Sequence, residues 1–403
     1  MVRLLHRATP NLLVLITLPI FASVLAFSQP LTVLHTFGGS DGEFPFCTLL
    51  RDSAGNLYGT TAFGAAGYGT IFKLDTTGNY TVLHTFLGSP NDGAYPEAGL
   101  LWDRRGHLYG TTAQGGTTNG GTIFLLAASG KETVLHNFTL NGTDGQWPYA
   151  GLVQDAAGIL YGTTSVGGRY GGGIVFAFAS TGKEKALFNL DGNGGGAMWP
   201  GGGNLVGGDG GVVGTTSFGG SSNLGTVYSL NASGEHIVVN FSGVEGEFPY
   251  AGLIKDSTGN FYGTTQFGGD LTCHAPSSGC GVVFKLDATG DETVLYSFLG
   301  SPDGDDPVAQ LVLDKDGNLY GVTKYGGTGE CQNEADGGCG TIFKISPTGS
   351  ETVLHSFTGG ADGAYPEGGL ILDAEGNLYG TTTNGGSSAC NGNGCGTIFK
   401  FTP

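Results

Sequence analysis

The chain has 403 residues, of which 34 are Asp or Glu and 16 are Lys or Arg, so its formal net charge at pH 7 is −18. An acidic surface repels phosphate backbones and anionic lipid, which excludes nucleic acid and charged membrane surfaces as partners and leaves cations and neutral polar ligands. The 79 glycines recur at fixed places between β-rich phrases, so they indicate the turns of a folded domain rather than disorder.

The N-terminus predicts a secretory signal peptide over residues 1–26, with cleavage after Ala26. Two arginines precede an apolar stretch from Leu12 to Phe27, as such signals require. A membrane-spanning helix is the alternative reading, but Pro19 interrupts the stretch and the first repeat follows at once. We therefore expect an exported protein, periplasmic or extracellular, in which residues 27–403 form a single domain without a membrane span.

From residue 31 onward the sequence repeats one unit of roughly 50 residues. The phrase TVLHTF, which ends at Phe37, returns six times in related form, at intervals of 49, 52, 52, 51, 57 and 59 residues. We call TVLHTF and its relatives the D phrases. Between two D phrases the chain carries three further phrases in a fixed order: an apolar run such as GLLWD (phrase A), LYGTT (phrase B) and GTIFKL (phrase C). Four β-rich phrases separated by turn signals are typical of a four-stranded propeller blade.

The two ends of the repeated region each carry an incomplete unit, which predicts that the array closes into a ring. The first D phrase has no A, B or C phrase before it, and the last C phrase is followed only by Thr402 and Pro403. We therefore predict an all-β, seven-bladed propeller in which residues 31–37 complete the last blade. A β-helix or an open array of sheets is the alternative. In the propeller, D-to-A and B-to-C loops share one face, and the remaining turns share the other.

Six of the seven cysteines form three short-range pairs, each just before a C phrase in one of the last three units. Each pair encloses an enlarged B-to-C loop, which in an exported protein predicts a disulfide rather than a thiolate metal site. If the protein has a specific partner, these pinned loops, which include His274, are where we expect it. Cys47 has no assigned role. The predicted disulfides are Cys273–Cys280, Cys331–Cys339 and Cys390–Cys395.

The D-to-A connection repeats an acidic residue and Gly, followed by an aromatic residue and Pro. These side chains could form a ring of carboxylates and aromatic plates near the axis, suited to a sugar or to Ca²⁺. Alternatively, Asp-Gly opens a turn and the aromatic-Pro pair wedges between blades, and recurrence in nearly every unit favours that structural interpretation. With His274, the candidate binding residues are Asp41, Asp92, Asp144, Glu245, Asp303, Asp362, Tyr95, Trp147, Trp199 and Tyr365.

No local motif predicts a cofactor or a catalytic centre. The sequence around Asp303, Asp305 and Asp306 is similar to a calcium-binding loop but lacks the Gly and the distal Glu of such loops. We therefore expect no cofactor, with Ca²⁺ as the alternative. The D-x-x-G sequence between phrases A and B predicts a tight turn, in which the Asp carboxylate accepts local backbone amides and Gly adopts positive φ. These aspartates are therefore not candidates for catalysis. Four D phrases carry His in a slot that holds Phe, Val or Tyr elsewhere, which indicates outer-strand packing. Nucleophile and zinc-protease motifs do not occur, although paired carboxylates from different blades would leave no motif.

The combination LYGTT, GG, GTIFKL and ETVLHxF resembles the GloVer tandem-repeat family of exported bacterial proteins, over residues 31–401. The resemblance implies no established activity for the repeat. It also implies a variable C-terminal anchor, but only two residues follow Phe401, so the chain departs from the family pattern here and both a surface-attached and a free mature protein stay open.

Together these features predict an exported monomer that binds a ligand or partner, such as a glycan or a cell-envelope component, through its loop-rich face and catalyses nothing. The alternative is a carbohydrate-active hydrolase or lyase, or a metal-dependent lactonase, with an axial acidic site, because propellers host all of these. A structural role in the cell envelope is a third reading. Non-repeated carboxylates that converge in a deep axial pocket would favour the enzyme, and a flat face of repeat-equivalent residues would favour binding.

Overall fold

The computed structural model describes residues 31–403 with the exception of residues 65, 180–181, 183, 192–196, 199, 201–205, 209–210, 232–233, 274–277 and 332–336. The predicted signal peptide, Trp199 and His274 therefore lie outside the described residues. Within the described part of the chain, no helix is long and apolar enough to cross a membrane.

The described chain is built from 36 short strands and a 3-10 turn at Cys390–Gly392. The first half of the chain contains β1 (Leu31–Thr36), β2 (Leu50–Arg51), β3 (Leu57–Thr61), β4 (Thr70–Leu74), β5 (Tyr80–Thr85), β6 (Gly93–Ala94), β7 (Leu101–Trp102), β8 (Leu108–Thr112), β9 (Gln114–Gly115), β10 (Thr122–Leu126), β11 (Glu132–Asn137), β12 (Gly145–Gln146), β13 (Val153–Gln154), β14 (Leu160–Thr164), β15 (Val166–Gly167), β16 (Ile174–Phe178), β17 (Glu184–Asn189) and β18 (Ala197–Met198). The second half contains β19 (Val206–Gly208), β20 (Gly211–Thr216), β21 (Phe218–Gly219), β22 (Thr226–Asn231), β23 (Gly234–Asn240), β24 (Ile254–Lys255), β25 (Phe261–Thr265), β26 (Val282–Leu286), β27 (Glu292–Ser297), β28 (Gly304–Asp305), β29 (Val312–Leu313), β30 (Leu319–Thr323), β31 (Tyr325–Gly326), β32 (Thr341–Ile345), β33 (Glu351–Ser356), β34 (Ile371–Leu372), β35 (Leu378–Thr382) and β36 (Thr397–Phe401).

Seven four-stranded antiparallel sheets form the seven blades, so the predicted propeller is confirmed. Each blade runs from a short inner A strand through B and C to an outer D strand. In chain order the blades are β2-β3-β4-β5, β7-β8-β10-β11, β13-β14-β16-β17, β19-β20-β22-β23, β24-β25-β26-β27, β29-β30-β32-β33 and β34-β35-β36-β1.

The ring closes as the sequence predicts. Strand β1 pairs antiparallel with β36, and its register places Leu31 opposite Phe401 and Val33 opposite Phe399. The first strand of the described chain is therefore the outer strand of the seventh blade. This pairing covers the edge that β36 would otherwise expose.

The hydrophobic core lies between neighbouring blades. One cluster, for example, joins Tyr58, Ile71 and Phe86 of the first blade to Leu100 and Phe124 of the second. The C strands are buried on both faces because each is covered by the blades on its two sides. The glycine of LYGTT is explained by this packing, since a Cβ on Gly59 would lie 2.6 Å from the ring of Phe72.

The two threonines of LYGTT form hydrogen bonds that hold strands and blades together. Thr60 donates its hydroxyl to the carbonyl of Ala98 in the next blade, at 3.0 Å. Thr61 shares a 2.8 Å hydrogen bond with the hydroxyl of Thr70 on the neighbouring C strand. Both threonines are buried. Val322 takes the place of the first threonine in the sixth blade.

The D-to-A and B-to-C loops pair with each other, so they share one face of the ring, which we call the loop face. Two-residue ladders join them in several blades, as between β6 and β9 or between β28 and β31. On the opposite face, the Asp of each D-x-x-G turn accepts local amides, as Asp52 does from Ala54 and Asn56. The predicted turn role of these aspartates is confirmed.

The three predicted disulfides are present, with Cα–Cα separations of 5.7, 5.3 and 5.4 Å. Each lies against a glycine of the following D-to-A loop, namely Gly300, Gly359 or Gly39, so it fixes the B-to-C loop to its neighbour. Cys47 is buried and donates its thiol to the carbonyl of Thr60. It stands where Ala98 stands in the next unit, which makes it a packing residue.

Candidate functional site

The acidic residues of the D-to-A loops are engaged in closing those loops. Asp92 accepts the amides of Leu87 and Gly93 at 2.9 and 2.7 Å, and His84 Nε2 lies 3.2 Å from it. Burial tends to raise the pKa of Asp92, but the hydrogen bonds from His84 and the two amides outweigh it and lower the pKa below its ordinary value.

The same arrangement recurs with small changes at the other candidate acids. Asp41, Asp144 and Asp362 each approach the histidine of the preceding D strand. Asp303 instead accepts the Tyr296 hydroxyl at 2.9 Å, and Glu245 accepts the Ser242 hydroxyl. Except for His136, whose Nε2 lies 3.7 Å from Asp144, the D-strand histidines are thus hydrogen-bonding partners of the loop acids as well as packing residues. Their recurrence in the sequence indicated only the packing.

The aromatic residues of the D-to-A loops lie between blades rather than around the axis. Tyr95 donates its amide to the carbonyl of Tyr68 in the first blade and accepts the amide of Ala113 in the second. The following Pro96 lies against Gly69 of the first blade. Residues of this kind adopt positive φ throughout, namely Phe44, Tyr95, Trp147, Phe248 and Tyr365.

A cavity of about 150 Å³ lies on the propeller axis, where the A phrases begin. Because D-to-A loops lead into these phrases, this end of the channel belongs to the loop face. The side chains that face the cavity come from the position directly after the repeated Pro. In the described blades that position holds Phe46, Glu97, Tyr149, Tyr250, Val308 and Glu367.

We call these cavity-facing side chains the axial ring. Their residue types differ from unit to unit, unlike those of the surrounding repeat. Neighbouring positions alternate with the axial ring and are buried small or aliphatic residues, such as Ala98 and Leu100, so in the described blades near-identical segments that lead into the A strands hold the ring. The ring carries two carboxyl groups and two phenols at a position that holds other residue types in the remaining units. Neither glutamate belongs to the repeated acids from which the candidate residues were predicted; the signal for them was the variable residue after Pro.

The electrostatics of the two axial glutamates differ. Burial, and then the charge of Glu367, raise the pKa of Glu97 to about 7. Burial also raises the pKa of Glu367, against the opposing effect of Lys324, whose Nζ lies 3.4 Å from its carboxylate. Thr383 donates its hydroxyl to the same carboxylate at 3.3 Å. Lys324 therefore favours the charged form of Glu367, whereas burial and the charge of Glu367 favour the protonated form of Glu97.

Asp306 adds a further carboxyl group next to this pair. It replaces the aromatic residue of the D-to-A loop in the sixth blade, keeps the positive φ of 63°, and is 3% exposed. Burial raises its pKa to about 7, although Lys324 opposes the shift. We call Asp306, Lys324 and Glu367 the polar cluster. Asp303 accepts a hydrogen bond from Tyr296, whereas Asp306 faces Lys324. These two acids of the calcium-like sequence therefore have different partners.

The polar cluster and the pinned loops belong to the same part of the ring. Asp306, Lys324 and Glu367 come from the sixth and seventh units, and the disulfides lie in units five to seven. Tyr250 faces the cavity from the fifth unit, where burial, followed by the charges of Glu97 and Glu367, raises its pKa to about 12. One side of the loop face therefore departs from the repeat in both its loops and its axial side chains.

A family model described as Gloeobacter/Verrucomicrobia repeat matches residues 22–199 and again residues 200–403. Among solved structures, a fungal alcohol oxidase of the AA5 family in complex with copper is similar with a TM-score of 0.58 and 15% identity, covering 93% of this chain and 76% of that chain. A putative gluconolactonase has a TM-score of 0.42 and 10% identity and covers 93% of each chain. No curated protein sequence is significantly similar to this one. The oxidase supports the fold alone.

Proposed function

This chain belongs to the Gloeobacter/Verrucomicrobia repeat family, and from that premise and its axial cavity we propose that it binds a small polyhydroxylated ligand, such as a sugar or one end of a glycan. The observation that carries the proposal is the axial ring, in which side chains of different chemistry replace one another at equivalent positions before the A strands. Repeat scaffolds place recognition where their units differ, because packing requires the units to be alike.

The chemistry of the axial ring suits a neutral polar ligand. Phe46, Tyr149 and Tyr250 supply aromatic faces against which the C–H face of a sugar ring packs. Glu97 and Glu367 supply carboxyl groups that can form hydrogen bonds with hydroxyls. An anionic ligand is disfavoured, because it would meet a carboxylate in a protein of net charge −18. Three disulfides fit our proposal that the protein works outside the cytoplasm.

Titration calorimetry with a panel of neutral monosaccharides and oligosaccharides tests the binding proposal. Glu97→Gln and Tyr250→Ala should weaken binding at least tenfold, because both side chains face the cavity. Trp147→Ala is the matched control, since Trp147 lies on the loop face outside the cavity and should leave affinity unchanged. Loss of binding in Trp147→Ala with retention in the two axial variants would move the site to the repeated aromatic residues and refute the proposal.

Glycoside hydrolysis is the second candidate, favoured by the unlike surroundings of two axial carboxyl groups: Lys324 lies 3.4 Å from Glu367, while burial and the charge of Glu367 raise the pKa of Glu97 to about 7. Such hydrolases need one carboxylic acid and one carboxylate on either side of the scissile bond. In that case Glu97 would protonate the leaving oxygen, and Glu367 would act as the base or nucleophile. Reducing-end release from the same panel tests this: both Glu→Gln variants should lose at least 100-fold in rate. Binding of the sugars without release of reducing ends would support the binding function and rule out hydrolysis of these sugars.

The copper of the AA5 oxidase is not carried over to this chain. Imidazole and thiolate are preferred copper ligands. Among the described residues that line the axial cavity, none is a histidine or a cysteine. The carboxyl and phenol groups of the ring instead suit hydrogen bonding to hydroxyls.

A further inference from the structure

Two neighbouring seams between blades each bring one histidine and two carboxylates together, away from the axial cavity. Each set combines a D-strand histidine, the acid of the following D-to-A loop, and the first residue of the next D strand. In each set the possible ligand atoms all lie within 4.8 Å of one another. The first set is His84, Asp92 and Glu132, and the second is His136, Asp144 and Glu184.

The spacing of these atoms is close to that of a metal's coordination shell. His84 Nε2 lies 3.2 Å from Asp92 Oδ2, and His136 Nε2 lies 3.7 Å from Asp144 Oδ2. Ligands of a tetrahedral ion are roughly 3.3 Å apart when the bonds are about 2.0 Å long. Small side-chain adjustments therefore complete either shell.

Polar atoms at both seams are buried without a hydrogen-bonding partner among the described residues. These atoms are Glu132 Oε1 in the first seam and His136 Nε2 and Glu184 Oε1 in the second; the equivalent oxygens of Glu292 and Glu351 are unpartnered as well, so only the histidine nitrogen is particular to a complete set. A buried carboxylate oxygen that faces a second carboxylate is costly to leave unpaired. A bound cation would satisfy these atoms and also remove the repulsion between the two acids.

The loop acids are held in place by backbone amides. Gly93 donates to Asp92 Oδ1 at 2.7 Å and Leu87 donates to Asp92 Oδ2 at 2.9 Å. Asp144 receives the amides of Gly145 and Thr139 at 2.8 and 2.9 Å. Support of this kind orients a carboxylate toward a metal and lowers the cost of ordering it.

From this geometry we infer that the two seams each bind one divalent transition-metal ion, with Zn²⁺ the best match. One imidazole nitrogen and two carboxylate oxygens form a three-ligand set that leaves a fourth position for water. The imidazole ligand disfavours Ca²⁺ and Mg²⁺, which prefer oxygen. The two sites are built by blades one to three, on the part of the ring that has no disulfides.

The other seams show which residues the set requires, because each fully described one lacks a ligand. The seam after the fifth blade has Tyr296 in the histidine position, and the seam after the fourth has Val239. The seam after the sixth blade keeps His355 and Asp362 but has Leu31 in place of the glutamate. The seam that closes the ring has Tyr80 there, stacked on His35. The repeat therefore supplies its own controls.

Zinc titration of the full chain after treatment with a chelator tests the inference. We expect two Zn²⁺ per chain by calorimetry and by elemental analysis, one in His84→Phe, and none in the His84→Phe/His136→Phe double variant. Phenylalanine is the residue that the third blade carries at this position, as Phe188, so the substitution should preserve the fold. His355→Phe is the matched control and should still bind two.

A second measurement separates binding at the seams from a loss of structure. Glu132→Gln keeps the size of the side chain and should weaken the first site at least 100-fold, while Zn²⁺ still raises the melting temperature through the second site. Glu97→Gln in the axial cavity should leave both sites intact, so the inference stands or falls independently of sugar binding. A stoichiometry that the double variant does not lower, or that His355→Phe does lower, would overturn it.

Discussion

Individual side chains at the axis give the axial cavity its chemistry, on which the proposed ligand binding depends. Glu97 and Glu367 occupy equivalent positions in the second and seventh units, yet only Glu367 has a lysine beside it. Burial and the charge of Glu367 raise the pKa of Glu97 to about 7. The scaffold thus sets the position of both groups, and a single neighbouring lysine makes their electrostatic surroundings differ.

Replacing Glu97 should make stability less dependent on pH. In the folded state the pKa of Glu97 is raised from about 4.5 to about 7, so between these values the unfolded chain releases a proton that the folded chain retains. Stability is therefore lost as pH rises through this window, on the order of 3 kcal/mol at 1.36 kcal/mol per pH unit.

We expect Glu97→Gln to unfold at a higher urea concentration than the parent at pH 8 and at the same concentration at pH 4. The measurement at pH 4 is the control, because the carboxyl group and the amide are then both neutral. An equal difference between the two proteins at both pH values would mean that Glu97 ionises normally in the folded state.

The sequence predicted the repeated residues well and the axial residues poorly, for a physical reason. Asp52, Gly59 and Thr61 serve the backbone and the packing of every blade, so their roles can be inferred from recurrence. Glu97 and Lys324 act through neighbours from other blades. Those neighbours are about 270 and 43 residues away along the chain, and no local pattern indicates them.

At the scale of the strand, the threonines of LYGTT transmit contact from one blade to the next. The B strand of each unit lies beside the A phrase of the following unit, and the first threonine spans the gap. Thr111 and Thr215 donate to the carbonyls of Ala150 and Ala251, as Thr60 does to Ala98. The strand boundaries were predictable from the phrases, but these contacts between blades were not.

We expect Thr60→Val to destabilise the protein by about 1 to 2 kcal/mol, because the buried carbonyl of Ala98 loses its hydrogen bond. The shape itself is tolerated, since Val322 occupies the equivalent place in the sixth blade. Urea unfolding measures the loss. Thr60→Ser keeps the hydroxyl and is the control; if it were as destabilising as valine, lost methyl packing rather than the hydrogen bond would be responsible.

Across the whole molecule, the departures from sevenfold repetition are segregated. Units five to seven carry the disulfides and the whole polar cluster, whereas the seams after the first and second blades carry the complete histidine and carboxylate sets. The ring itself is sustained by features that nearly every unit shares. The positions that stabilise the fold recur in the sequence, whereas the positions that differ between units are those proposed to bind ligands. The sequence could therefore predict the architecture without indicating the ligand.

Ring closure gives the molecule its last outer strand, and a circular permutation tests how much that strand contributes. In the five blades whose C-to-D turn follows the common pattern, five residues join the C and D strands, as residues 75–79 do. Joining Phe401 to Leu31 through such a turn, and opening the chain between Phe37 and Gly38, preserves every strand pair. We expect this permutant to be monomeric and to unfold within about 1 kcal/mol of the parent.

Deletion of residues 31–37 should have the opposite result. It would remove the partner of β36 and uncover an edge whose amides and carbonyls are free to pair with a second chain. The deletion variant should therefore elute as a dimer or larger species in light-scattering chromatography and unfold at a markedly lower urea concentration, while the permutant does neither. A deletion variant that stayed monomeric and as stable as the parent would show that packing between blades holds the ring without its closing strand.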